Sequence, residues 1–236
     1  MCWFWRAWLL RYPILAAGCI PTTLFLVFIS GLFLAGQALQ AASPSLPPPL
    51  LGRMTERYGE GARTRLLEWQ TLLQRQRGVS EQDRLLRVNR FLNRIPFATD
   101  SEHWGQVDYW ATPAEFLASN GGDCEDFAIA KLFTLQAMGV PANKLRLMYV
   151  KALALDQPHM VLLYIKEEGS APLVLDNLIN EILPAQNRTD LEPVYSFNAG
   201  GLWLNRPAYP DRKVRDHSNS LLWRDLVERI RHEGFH

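Results

Sequence analysis

Cysteine is scarce in this sequence: three in 236 residues, at positions 2, 19 and 124. Two of them fall in the apolar N-terminal stretch, so the remainder has no partner with which to build an internal disulfide framework. An excess of charge of either sign is also missing, with 25 Lys and Arg against 24 Asp and Glu. Residues 1–38 hold Arg6 and Arg11 and no acid, which leaves 23 bases against 24 acids in the rest, without clustering. That balance excludes a phosphate backbone as partner. With 48% hydrophobic and 21% charged residues the chain is not a disordered tail. No internal repeat is visible, which removes solenoid and propeller architectures.

One long hydrophobic run is present, at the start. After Arg6 and Arg11 the chain is uncharged from Ile14 to Gly36, although Pro13 and Pro21 interrupt it. A positive flank, an apolar stretch and small residues after it (Gly36-Gln37-Ala38, then Ala41-Ala42) form the secretory pattern. The run is also long enough to span a bilayer, so a cleaved signal and a retained anchor both fit. The arginines precede it, and either way the remainder lies outside the cytoplasm, in the periplasm or tethered to the inner membrane. Residues 1–42 are therefore read as leader, 43–60 as a Pro/Ser-rich spacer and lead-in containing AASPSLPPPL's last residues, and 61–236 as the domain.

Within the domain, periodicity predicts helices over 61–76 and 80–95, the second opened by Ser80 in a capping-box-like pattern and closed by Pro96. A loop-rich aromatic segment follows, residues 95–120. Residues 125–139 suit a buried helix, with Gly139 and Pro141 as its stop. Strand-like runs follow at 145–153, 160–166 and 172–175, the last two joined by a hairpin turn over Glu167-Glu168-Gly169-Ser170. An amphipathic helix over 218–230 closes the chain. Helices first and antiparallel strands after them define an α+β fold.

A lone exported thiol is inert and buried in the ordinary case. Cys124 has unusual neighbours. It stands where the glycine-rich Gly121-Gly122-Asp123 enters a helix, and a helix N-terminus favours thiolate. A nucleophile needs a base. His217, His232 and His236 lie in or near the polar C-terminal segment and His103 in the aromatic loop, whereas His159 opens a rigid apolar strand. Asp176 ends the next strand, and antiparallel pairing brings the two together. Helix cysteine, strand histidine and next-strand aspartate make a nucleophile, a base and an orienting acid. Singly, a histidine beside a strand is structural and an aspartate at a strand end is a turn residue; their joint order with one cysteine is what counts.

The segments Trp110-Ala111-Thr112-Pro113-Ala114-Glu115-Phe116, Gly121-Gly122-Asp123-Cys124-Glu125-Asp126-Phe127-Ala128-Ile129-Ala130-Lys131, Pro158-His159-Met160-Val161-Leu162 and Leu175-Asp176-Asn177 resemble the bacterial transglutaminase-like cysteine proteinases. The likeness covers roughly residues 66–203. It implies a papain/transglutaminase-like α+β fold, with the nucleophile helix packed on an antiparallel sheet, and a Cys124-His159-Asp176 triad. Adhesin-releasing members are calcium-dependent, cut a large surface adhesin near its N-terminus between small residues to release cells from a biofilm, and are sequestered by a LapD-like inner-membrane receptor for cyclic di-GMP.

Calcium also has a rationale in the residues. Asp123, Glu125 and Asp126 surround Cys124 in sequence and oppose its thiolate, and the helix dipole, worth about half a charge, hardly offsets three carboxylates. A hard cation would neutralise them. Helix capping explains the same acids without any metal; the resemblance supports Asp123 and Glu125, and after them Asp126, as ligands, while Asn143 in the following loop is a separate candidate for a further oxygen. The Cys124 N–H is expected as an oxyanion donor; the Trp110 indole is a second candidate, with packing the more ordinary role for that tryptophan. Trp203 is expected in an exposed loop facing a partner, and Asn187-Arg188-Thr189 is a chance glycosylation triplet. A transamidase or peptidoglycan-processing hydrolase on the same triad, and an idle calcium-stabilised receptor-binding module, remain open as alternatives.

Overall fold

The computed structural model describes residues 45–76, 78–199, 201–206, 209–215 and 221–234, of which 204–206 and 209–215 are described by their backbone. The N-terminal leader lies outside these residues. Among the described residues, no helix is long and apolar enough to cross a membrane.

The segment read as spacer ends at Pro47, because α1 (Pro48–Tyr58) begins inside the proline run. Proline at the first helical position costs no hydrogen bond and has its φ already set. Leu50 and Met54, one turn apart, are buried, and Leu46 joins them in the core. Gly59, at φ 80°, ends α1 and starts α2 (Glu60–Gln74). On α2 the residues Ala62, Leu66, Trp69 and Leu73 form one buried face, and the Trp69 indole donates to Thr134 Oγ1 at 3.0 Å. Ser80 caps α3 (Glu81–Leu92) by accepting from the Asp83 N–H, a contact that adds ~1 kcal/mol to such a helix.

The aromatic stretch is not simply loop. It contains α4 (Asp100–His103) and α5 (Pro113–Ser119). Thr112 and Glu115 complete a capping box on α5, with Pro113 at its first turn. These elements are too short for periodicity to reveal.

Helix α6 (Cys124–Ala137) is buried on nearly all sides, including Phe127, Ile129, Leu132 and Leu135. Its apolar residues do not segregate to one face because it lies between α3 and α5 on one side and the sheet on the other. The sheet holds seven antiparallel strands in the order β4-β3-β2-β1-β5-β6-β7. The first three are β1 (Leu145–Ala152), β2 (Gln157–Tyr164) and β3 (Leu173–Leu175). Then come β4 (Leu183–Pro184), β5 (Leu191–Asn198), β6 (Gly201–Arg206) and β7 (Tyr209–Arg215).

The predicted hairpin turn is present, with the Ser170 hydroxyl donating to the Glu167 carbonyl at 2.7 Å. Strands β4 to β7 escaped the sequence reading: β5 carries Glu192 and Pro193, and β6 begins in a glycine pair. Trp203 accordingly lies in β6, not in an exposed loop, with the Arg146 guanidinium 3.9 Å from its ring centre.

Helix α7 (Leu221–His232) buries Trp223, Leu226 and Ile230. Its polar residues latch the aromatic segment. Arg229 donates to the Trp110 carbonyl and to Glu115 Oε2, both at 2.6 Å, and Glu233 accepts from the Thr112 hydroxyl at 2.6 Å.

Candidate active site

The loop into α6 is shaped by close approach. Asn120 ends α5 in the left-handed region, where asparagine is tolerated. A Cβ on Gly121 would sit 2.5 Å from the His103 ring, and one on Gly122 would sit 2.4 Å from Asp126 Oδ2. Both positions are therefore closed to any side chain. Gly122 is held by a parallel bridge to Phe97, with the Ala98 N–H on its carbonyl at 2.9 Å. Asp123 then caps α6 by accepting from the Glu125 N–H at 3.1 Å, which places Cys124 at the first helical position.

Cys124 is half-buried. Its helix packs on β2, the strand that carries His159. The thiol donates to Glu125 Oε2 at 2.7 Å. Burial, then the Glu125 charge and hydrogen bond, then the Asp123 charge push the thiol far above its ordinary pKa, while the Met160 N–H works in the opposite direction.

His159 and Asp176 are in direct contact. His159 stands opposite Val150 on β1, and its Nε2 lies 2.8 Å from Asp176 Oδ1. The ladder between β2 and β3 ends at Leu162 opposite Leu175, so Asp176 emerges just past it. The Leu178 N–H also reaches Oδ1 at 3.0 Å, and the Arg188 guanidinium reaches Oδ2 at 2.7 Å. Asn93 holds the same turn through the Asp176 carbonyl at 2.8 Å. Burial alone would raise the Asp176 pKa, but hydrogen bonding and charge from His159, the Leu178 N–H and Arg188 prevail and hold it at about 2. An ionised Asp176 can only accept, so Nε2 carries the proton and Nδ1 is the nitrogen able to act as base.

On the helix side the acids crowd. Oxygens of Asp100, Asp123 and Asp126 lie within 4.8 Å of one another, and so do the ligand atoms of Asp123, Cys124 and Glu125. Burial and the charges of Glu125, Asp126 and Asp100 drive Asp123 up to about 9. Asp126 is pushed to about 7 by burial, against the Ala111 N–H at 2.7 Å and the Trp104 indole at 3.3 Å. Asp100 is raised by burial as well; its Oδ2 accepts from the Tyr109 N–H, while its buried Oδ1 has no partner among the described residues. Converging hard oxygens, one of them unsatisfied, fit a calcium ion. Asp100 was not foreseen, since it is 23 residues from Asp123 and only α4 brings it in. Arg188 was also missed, hidden in the glycosylation-like triplet.

One minor expectation fails. Asn143 sits in a 3₁₀ turn, Ala142–Lys144, and lines a cavity of about 880 Å³ walled by Met148, Val161 and Leu163, apart from the acids. Trp110 is buried and stacks on Phe197 at 6.1 Å, the packing role ordinary for a tryptophan.

A helix N-terminus carrying a cysteine, packed on an antiparallel sheet that bears histidine and aspartate, defines the transglutaminase-like cysteine protease class. The profile of the bacterial transglutaminase-like cysteine proteinases (BTLCP) matches residues 68–196, and the chain belongs to that family. It is similar, more particularly, to LapG of Legionella pneumophila. The EGTA-treated LapG structure is 39% identical, with a TM-score of 0.68, over 79% of this chain and 99% of that one. The calcium-bound LapG structure is 39% identical, with a TM-score of 0.66, over 76% and 97%. A third LapG structure is 40% identical, with a TM-score of 0.67, over 79% and 99%. No curated protein sequence matches.

Proposed function

We propose that this protein is a calcium-dependent periplasmic cysteine endopeptidase that cuts the N-terminal region of a large cell-surface adhesin and so promotes release from a biofilm. The observation that carries the reading is the His159–Asp176 hydrogen bond at 2.8 Å, on the strand against which the Cys124 helix packs. Family membership and the calcium-bound form of the LapG relative support it.

In this mechanism His159 Nδ1 takes the thiol proton as Cys124 Sγ attacks the scissile carbonyl carbon. The developing oxyanion is met by the Cys124 N–H, one of the first-turn donors that have no intrahelical partner. Imidazolium then gives its proton to the leaving amine, and a thioester remains on Cys124. Water, deprotonated by the same imidazole, attacks that thioester and restores the thiol. Asp176 keeps the ring in the required tautomer throughout. Asp123, Glu125, Asp126 and Asp100 are the residues that would hold calcium. When bound, the ion supplies the positive charge this acidic ring lacks and competes with the thiol for Glu125.

The apolar leader exports the domain, and a LapD-like inner-membrane receptor that senses cyclic di-GMP sequesters it. The test is to incubate the protein with a recombinant adhesin N-terminus in calcium or in chelator and identify the products. Two fragments with free termini, formed only with calcium and absent for Cys124→Ala, are expected. A new amide cross-link, or unchanged cleavage by Cys124→Ala, would overturn the proposal.

A further inference from the structure

We propose that Arg188, locked by Asp190, is a positioning residue for the triad: it fixes the Asp176 carboxylate and keeps it charged, so that His159 stays oriented toward Cys124. This rests on the triad reading above.

Arg188 is buried, with only 3% of its side chain exposed. Its backbone is tied to the 3₁₀ turn Ala185–Asn187, whose Ala185 N–H donates to the Pro172 carbonyl at 2.8 Å. Nη2 is shared between Asp176 Oδ2 and Asp190 Oδ2, both at 2.7 Å, and Nε donates to Asp190 Oδ1 at 2.9 Å. A planar guanidinium gripped along one edge in this way cannot swing. Asp190 is itself anchored, because its carbonyl accepts from the Leu153 N–H beside the β1–β2 hairpin. The grip therefore traces back to main chain at both ends.

Asp176 meets three donors. His159 and the Leu178 N–H share Oδ1, and Arg188 alone takes Oδ2. Without Arg188 the carboxylate is held through Oδ1 alone and can turn about its Cβ–Cγ bond, and a buried acid loses the guanidinium that faces it. The other charged group facing Asp176 is Lys131 of α6, buried two turns beyond Cys124. Burial drives the Lys131 ammonium down to about 7, against the pull of Asp176, so it discharges in the working range. Arginine does not, which makes Arg188 the permanent counter-charge. A merely structural ion pair would show up as stability alone. A positioning role predicts an effect on the imidazole.

The test uses the full chain with ¹⁵N-labelled histidine. The His159 ring should be read by NMR in the wild type and in Arg188→Lys, Arg188→Ala and Asp190→Asn, each well below its melting temperature. Neutral His159 in the wild type is expected in the Nε2–H form, with that proton strongly downfield. Arg188→Ala should lose the downfield proton and mix the tautomers, while Arg188→Lys keeps part of both. Where cleavage is measurable, kcat for Arg188→Ala should fall roughly 10- to 100-fold with KM unchanged, the usual cost of removing a group that orients a reactive ring.

A wild-type tautomer and kcat in a folded Arg188→Ala would overturn the proposal. If that variant does not fold, Arg188→Lys and Asp190→Asn decide: both indistinguishable from wild type in ring signals would overturn it equally. Because the ring signals need no substrate, they separate failure of this inference from failure of the protease reading.

Discussion

Two aspartates of the candidate site, one beside Cys124 at the start of its helix and one bonded to His159 at the end of β3, live in opposite worlds. Asp123 is driven up to about 9 by burial and by three neighbouring acids, whereas Asp176 is held at about 2 although it is the more buried. Burial acts on both in the same direction. The difference is company: Asp176 has His159, the Leu178 N–H and Arg188, and Asp123 has Glu125, Asp126 and Asp100. One side of the site carries its own counter-charges and is complete as folded. The other is assembled around a positive charge that the protein does not provide, and about half a unit from the helix dipole cannot replace it.

The contrast predicts that damage on the two sides will respond differently to calcium. The largest effect belongs to the complete side. Asp176→Asn leaves the shape intact but removes the negative charge and sets an amide NH2 against donors, either Arg188 or His159 and the Leu178 N–H, and turnover should fall on the order of 10⁴-fold. No calcium concentration should restore it; a calcium-dependent rescue of Asp176→Asn, measured as kcat against free calcium, would break the division.

A smaller effect is expected in the pH dependence of stability. For Asp123 and Asp126 the folded pKa lies above the usual 3.8, so their ionisation works against the fold. In chelator, the melting temperature should decline as pH rises from about 4 through 7, where Asp126 ionises, to about 9, where Asp123 does. Asp176 has the opposite sign: its contribution is present above the unfolded pKa and is lost as pH falls from about 4 through 2. Calcium should flatten the alkaline decline and leave the acid one untouched. Calorimetry at pH 5 and 8, with and without calcium, reads this as a shift of a few degrees; equal slopes in both conditions would contradict the account.

The sequence made the complete side of the site easier to read than the acidic one. Cys124, His159 and Asp176 each sit at the start or end of a strongly apolar run, so element order alone put the histidine and aspartate on neighbouring strands. Asp100 and Arg188 lie on a four-residue helix and beside a single 3₁₀ turn, elements whose existence depends on tertiary contacts and which leave no periodic trace. The α+β architecture, the central helix and β1 to β3 were visible for the same reason. Helix α1 was obscured by prolines that start it and do not forbid it, and β5 to β7 by charged and proline residues at the sheet's far edge. The acids around Cys124 were legible as a motif, but a motif cannot tell capping from metal binding. Asp123 in fact caps α6 and also turns an oxygen toward Asp100 and Asp126.

The most direct measurement is the rate of Cys124 alkylation by iodoacetamide as a function of pH, in saturating calcium and in chelator. The thiol is half-buried, bonded to Glu125 and faced by Asp123, so the chelated protein should react only at strongly alkaline pH. With calcium the profile should move toward neutral pH. Superimposable profiles would mean that the acidic ring does not govern the thiol, and the central claim would fall.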